Sequence, residues 1–239
     1  MTTSHTVEID RLAFGWPNMP RALLDIPRLQ IETGGSLFLR GPSGSGKSTL
    51  LNLLSGVQGG YSGSISICGE RLETLSAHRR DQLRADHIGL IFQQFNLLPW
   101  LSPIENVALA CRFSKRRREK AKVSGGTVAK EAERLLRELG LGEVVESRRR
   151  TSSLSIGQQQ RVAAARALIG NPELIIADEP TSALDSEHRD RFIDLLMAET
   201  RASGASLLFV SHDASLASHF DRTLELGATT GNSEEALTC

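Results

Sequence analysis

The run Gly41-Pro42-Ser43-Gly44-Ser45-Gly46-Lys47-Ser48, followed by Thr49, has the composition of an anion cradle. Its glycines let the backbone wrap closely around phosphate oxygens and point N–H groups inward. The apolar residues at helical spacing over 48–55 predict a helix starting there, whose positive N-terminal end adds to the attraction. Lys47 would reach the β- and γ-phosphates of a nucleoside triphosphate, Ser48 would ligate Mg²⁺, and Thr49 would support the loop near the α-phosphate.

A second group lies far along the chain. Leu174-Ile175-Ile176-Ala177 is an apolar strand pattern ending in Asp178-Glu179. Asp178 would hold Mg²⁺ through water, and Glu179, one residue beyond, could orient or deprotonate an attacking water. A third run, Leu154-Ser155-Ile156-Gly157-Gln158-Gln159-Gln160-Arg161, opens a helix expected to reach about residue 169. Ser155 and Gly157 there suit either an anion-binding cap or an ordinary helix N-cap without a ligand.

These residues need a scaffold, and the pattern of apolar residues supplies one. Residues 36–40, 87–92, 173–178 and 206–211 read as buried strands, and residues 62–69 alternate like an edge hairpin. Residues 5–40 read as short strands with turns at Trp16-Pro17-Asn18 and Gly34-Gly35. From about residue 93 to 167 the pattern is mostly helical; residues 128–139 form a helix capped by Thr127 or Ser124, and residues 185–202 form an amphipathic one. Strands alternating with helices imply a parallel sheet covered on both faces. The last dozen residues, rich in Gly, Thr, Ser and Glu, are expected to fray.

Composition narrows the class. With 239 residues and 40% apolar content, one large domain can be packed. Charges balance to zero, which argues against nucleic acid as a partner. Cys68, Cys111 and Cys239 form no metal or disulfide spacing and read as reduced thiols, with Cys68 on a strand. The N-terminus carries no signal-peptide pattern, and no apolar stretch approaches the ~20 residues that span a bilayer. A membrane role would need another chain.

Taken in order, the P-loop, Phe92-Gln93-Gln94, LSIGQQQR, IIADEP, SALD and VSH resemble the ATPase domain of ABC proteins across nearly the whole chain. The stretches IGLIFQQFNLLPWLSPIENVAL and ADEPTSALD most resemble the lipoprotein-releasing and macrolide-exporting branch. The resemblance implies an α/β P-loop NTPase fold with a RecA-like core, an N-terminal antiparallel β lobe and an inserted helical lobe. It implies a single ABC ATPase domain over 1–239, with core and β lobe at about 1–93 and 166–230, the helical lobe at about 94–165, and a flexible tail at 231–239.

The resemblance also implies roles. Trp16 matches the aromatic position that stacks on adenine, with Phe14 as a less apt substitute. Gln93 matches the residue that senses Mg²⁺ and the γ-phosphate and moves with the transmembrane partner. Ser155 and Gly157 match the signature that contacts ATP held by an opposite subunit. Asp185 matches the acid linking the two sites, and His212, after the strand at 206–211, matches the switch histidine. His5, His78, His87, His188 and His219 read as surface or structural. The implied partners are a second copy closing around ATP and Mg²⁺, and separate permease subunits at the cytoplasmic side of the inner membrane. A mechanical or regulatory ATPase of the cell-division type would share every motif. DNA-repair and chromosome-structuring relatives carry coiled coils or extra domains, for which this chain has no room.

Two features stand apart. Ile156 replaces the first glycine of the family's LSGGQ. Either this position has ordinary dihedrals and the isoleucine packs, or a positive φ was required and the signature is weakened, since a β-branched residue resists φ > 0. The basic runs at 112–122 and 148–150 suit anionic lipid headgroups, an acidic partner, or a solvated face.

Overall fold

The computed structural model describes residues 4–17, 22–147, 149–182 and 184–227. Asn18, Arg148, Cys239 and the terminal tail lie outside them. Two sheets and a helical stack share the chain. The first sheet is antiparallel, in the order β2-β1-β4-β5, from β1 (His5–Phe14), β2 (Leu24–Glu32), β4 (Ser62–Ile67) and β5 (Glu70–Arg71). In β1 the buried residues change phase, from Val7 and Ile9 to Leu12 and Phe14. An extra residue absorbs the slip: Arg11 has φ 50°, and the pairing with β4 shifts between Asp10 and Ala13. Gly63 lies against the Arg11 carbonyl at this bulge, where no Cβ would fit.

The second sheet is parallel, in the order β6-β7-β8-β3-β9, from β3 (Ser36–Arg40), β6 (Ile88–Ile91), β7 (Leu174–Asp178), β8 (Ser206–Val210) and β9 (Arg222–Glu225). Its central strands are apolar on both faces because both are covered. Leu174, Ile176, Leu208 and Val210 pack toward α1 (Lys47–Leu54) and the antiparallel sheet. Ile175, Ala177, Leu207 and Phe209 pack toward α8 (Ile156–Leu168) and α9 (Ser186–Ser203). The Ala167 carbonyl presses on Gly89 of β6 so closely that a side chain there is excluded.

Between β6 and β7 the chain is mainly helical: α3 (Pro103–Ala108), α4 (Ala110–Phe113), α5 (Lys115–Gly125), α6 (Val128–Glu138), α7 (Gly142–Ser147) and α8. Ser102 and Glu105 form a capping box at α3. Thr127, not Ser124, caps α6. Arg117 of α5 is buried and donates to the carbonyls of Ile169, Arg166 and Ala167 at the end of α8. A cation there satisfies orphan carbonyls and meets the negative end of the helix dipole. It joins the helical stack to the parallel sheet.

Two elements escape the sequence reading. Helix α2 (Ala77–His87) buries only Leu83, so it has no apolar periodicity to detect. Strand β9 is short and half-buried at the sheet edge. Cys68 is not in a strand: β4 ends at Ile67, and Cys68 turns with φ 51°. Burial pushes its thiol up to about 11, which leaves it protonated and inert.

Candidate functional site

The glycine-rich run sits between β3 and α1, as its anion-cradle reading requires. The turn needs its glycines. A Cβ on Gly41 would collide with the Leu226 carbonyl and come within 2.7 Å of Ser45 Oγ. Gly46 has φ 95° and lies against Leu24. Ser45 Oγ is buried without a hydrogen-bond partner among the described residues, an orphan that a bound anion or water could satisfy. Lys47 Nζ folds back and donates to the carbonyls of Gly41 (2.6 Å) and Pro42 (3.0 Å).

This loop is one wall of a cavity of about 530 Å³. Ser43, Gly44, Ser45, Gly46, Lys47, Ser48 and Thr49 line it from one side. Asp178, Glu179, Gln93 and His212 line it from the ends of β7, β6 and β8, and Trp16 and Leu23 close the rim. Parallel strands in open sheets bring their carboxyl ends to one crevice, which is why residues so distant in sequence meet here. Trp16 is 43% exposed and packs edge-on against Phe14, which is buried in the core and offers no free face.

The acid pair is not relaxed. Burial, then the charge of Glu179, raise the Asp178 pKa above the usual carboxylate value, and Lys47 only partly offsets this. Glu179 has φ 47°, a left-handed conformation costly for a non-glycine residue. Its N–H donates to the Val210 carbonyl, and its carboxylate lies 2.9 Å from His212 Nδ1. The strain aims a carboxylate into the cavity beside the histidine. Asp178 and Glu179 share this cavity with the Ser48 hydroxyl and the Gln93 amide, a hard oxygen donor set of the kind Mg²⁺ favours. Ser48, Gln93 and Asp178 therefore fit the ion.

Ser155, Gly157 and Asp185 do not reach this cavity within one chain. Ser155 is exposed and caps α8 through a capping box with Gln158. Asp185 caps α9 and accepts from His188, whose ring lies 2.8 Å away. Ile156 opens α8 with no positive φ, so the strained reading does not apply. Neither does it pack: its side chain is 55% exposed, contrary to the expectation of simple burial.

A second polar cluster went unread in the sequence. Glu173 accepts from Lys120 and Arg116 and lies 2.9 Å from His87 Nδ1. Burial alone would raise its pKa, but the bonds from His87, Lys120 and Arg116 outweigh that and hold the carboxyl far below the ordinary range. Cys68 lies nearby in metal-ligand range. The two cations already satisfy Glu173, and a metal ion there would face them directly.

Comparison with known proteins now decides the family. The family model described as "ABC transporter" matches residues 24–182. The chain belongs to the ABC transporter family. It is an ATPase with the fold of the ABC cassettes. It is 39% identical over 228 residues to the ABC transporter ATP-binding protein YbbA of Escherichia coli K12, covering 95% of this chain and 96% of that one. It is 41% identical over 198 residues to the lipoprotein-releasing system ATP-binding protein LolD of Novosphingobium aromaticivorans, covering 83% and 84%. Among solved structures, the ATP-binding cassette MJ0796 in a dimeric post-hydrolysis state bound to ADP and Pi superposes with TM-score 0.78 at 34% identity, covering 92% of this chain and 94% of that one. The expected branch resemblance is borne out at this level. Among the described residues no helix is long and apolar enough to cross a membrane.

Proposed function

We propose that this ABC ATPase binds Mg-ATP in the cavity beneath Trp16, closes head to tail with a second copy, and powers separate permease subunits, in the direction of export or extrusion. The convergence of Lys47, Asp178, Glu179 and His212 on one cavity carries the reading. Trp16 stacks on adenine. The N–H groups of the loop from Gly41 to Thr49 hold the phosphates, which compete with the carbonyls of Gly41 and Pro42 for Lys47. Ser48, Gln93 and, through water, Asp178 hold Mg²⁺, which when bound neutralises phosphate charge and relieves the repulsion between Asp178 and Glu179. Glu179 takes the proton of the attacking water, and His212 positions the γ-phosphate.

The dimer is supported by what one chain lacks. Ser155 and Gly157 stand outside the cavity, so the γ-phosphate side is left open until a second copy presents them. The solved relative is described as dimeric. In this reading the helical lobe, about 94–165, carries the signature, and the core at 1–93 and 166–230 carries the phosphate cradle. Opening after hydrolysis reaches the permease through Gln93. Immediately before it, Phe92 enters an apolar groove of about 520 Å³ whose exposed Phe113 offers a seat for the membrane subunit. The protein then works peripherally, on the cytoplasmic side of the membrane.

A Glu179→Gln protein should still bind ATP, dimerise in its presence, and hydrolyse it about 10²–10⁴ times more slowly. Wild-type turnover in that variant contradicts the assignment. The cell-division-type alternative shares the site; stable co-purification with a division scaffold in place of a substrate-translocating permease would favour it.

A further inference from the structure

His212 is held less by packing than by the turn that carries it. Its side chain is 71% exposed, and Glu179 is its one hydrogen-bond partner among the described residues. The direction of the imidazole is therefore set by the backbone at 211–213. On one flank the Ser211 N–H donates to the Leu39 carbonyl, which ties the turn to the parallel sheet. On the other flank Asp213 has both carboxylate oxygens in use. Its Oδ1 accepts from the N–H and hydroxyl of Ser215, and its Oδ2 accepts from Arg189 Nη1. Its own N–H donates back to Ser211 Oγ, which closes the turn around His212. Bonds from Ser215, with the charge of Arg189 behind them, hold the Asp213 carboxyl below the usual carboxylate value, so the pair is ionised at neutral pH.

Arg189 reaches Asp213 from α9. It lies one turn beyond the Asp185 cap, to whose carbonyl its N–H donates. Its side chain is 21% exposed, and its guanidinium is shared between Asp190, at 3.0 Å, and Asp213. An ion pair on an open surface contributes little to stability. This one is largely sheltered, and its carboxylate is already fixed by Ser215, so its contribution is geometric. Arg189 does not line the nucleotide cavity and cannot touch the γ-phosphate itself. We propose, resting on the reading of His212 as the group that positions the γ-phosphate, that Arg189 is a positioning residue. Through Asp213 it fastens the His212 turn to α9, so the imidazole is held between the sheet and the helix that begins at Asp185. Without Arg189 the turn keeps its anchor on Leu39 and loses the one on α9. A misplacement of about 1 Å at a reacting centre can slow a reaction by on the order of 10²-fold.

Steady-state ATPase assays and ADP titrations on the full chain test this, with melting curves reporting that each variant is folded. Arg189→Ala removes the clamp. Asp213→Asn keeps an oxygen for Ser215 and removes only the charge facing Arg189, so it carries the test alone if Arg189→Ala does not fold. Each should lower kcat at least about tenfold and leave ADP affinity at the wild-type value, because ADP lacks the phosphate that His212 meets. Arg189→Lys should recover most of the loss, since it restores the charge opposite Asp213. The Arg189→Ala/His212→Ala double variant should turn over no more slowly than His212→Ala, because the clamp acts only through that imidazole. A merely structural role would lower ADP affinity along with kcat, or would slow the double variant further. Either result overturns the proposal, as does wild-type kcat in Arg189→Ala or Asp213→Asn. Wild-type kcat in His212→Ala would overturn the γ-phosphate reading itself, and the proposal with it.

Discussion

The cavity at the glycine-rich loop and the signature face both carry motif residues but are built in different ways. The cavity is shaped by backbone: glycines at positions where a Cβ collides, a strained Glu179 and a lysine held by its own loop. The signature face is a helix end whose polar groups are already satisfied, with Ser155 and Gln158 capping each other and Ile156 open to solvent. One site is preorganised in the single chain; the other is stable without a ligand and, in the proposed dimer, would become part of a site only across two chains. The lesson is that a motif's chemistry depends on whether its polar groups are left in want of a partner.

Substitutions can sharpen or break this contrast. The largest effect should come from Gly41→Ala, because the collision is with the backbone at Leu226 and cannot be relieved by a rotamer. It should cost about 1–3 kcal/mol of stability and weaken ATP binding together, as read by thermal melts and nucleotide titration. Next is Glu173→Gln, which removes the anion linking α2, α5 and the start of β7. At neutral pH it should cost about 1–3 kcal/mol. The folded pKa of Glu173 lies below its unfolded value of about 4.3, so its stabilisation is complete above that pH and is lost as pH falls toward the folded value. The gap between wild type and variant in urea titrations should therefore be widest at neutral pH and narrow steadily below about pH 4.

Smaller effects are expected on the signature face. Ser155→Ala should cost about 1 kcal/mol through the lost helix cap, leave ATP affinity of the isolated chain unchanged, and lower turnover only where dimers form. Loss of ATP affinity in the dilute monomer would break the contrast between the two faces. Ile156→Gly should change ATPase rate least of all, because the position already has helical dihedrals; a large gain in rate would mean the isoleucine obstructs the partner's nucleotide.

The parts legible in sequence are those with local, periodic or backbone-dictated signals. The apolar strands ending at Arg40, Asp178 and Val210, and the glycine run, could be read because their residue types answer one local demand. Helix α2 could not, since it buries a single leucine. Arg117 and Glu173 could not either: each looks like one more charge in a polar stretch, and only the fold reveals a buried guanidinium on helix-end carbonyls or a carboxylate among cations. The positive φ of Glu179 is likewise invisible in sequence, because nothing in a glutamate announces a left-handed turn. In the basic run, Arg112 and Lys115 are exposed and Arg117 is buried, so residues of one run divide between surface and structure.

The central claim is that the backbone loop and its lysine grip nucleotide triphosphate. Calorimetric titration of Mg-ATP into wild type and Lys47→Ala tests it most directly. Saturable binding by the wild type, weakened at least about tenfold in the variant, is the expected result. A wild type that takes up no heat of binding, or a variant that binds as well as its parent, would contradict it.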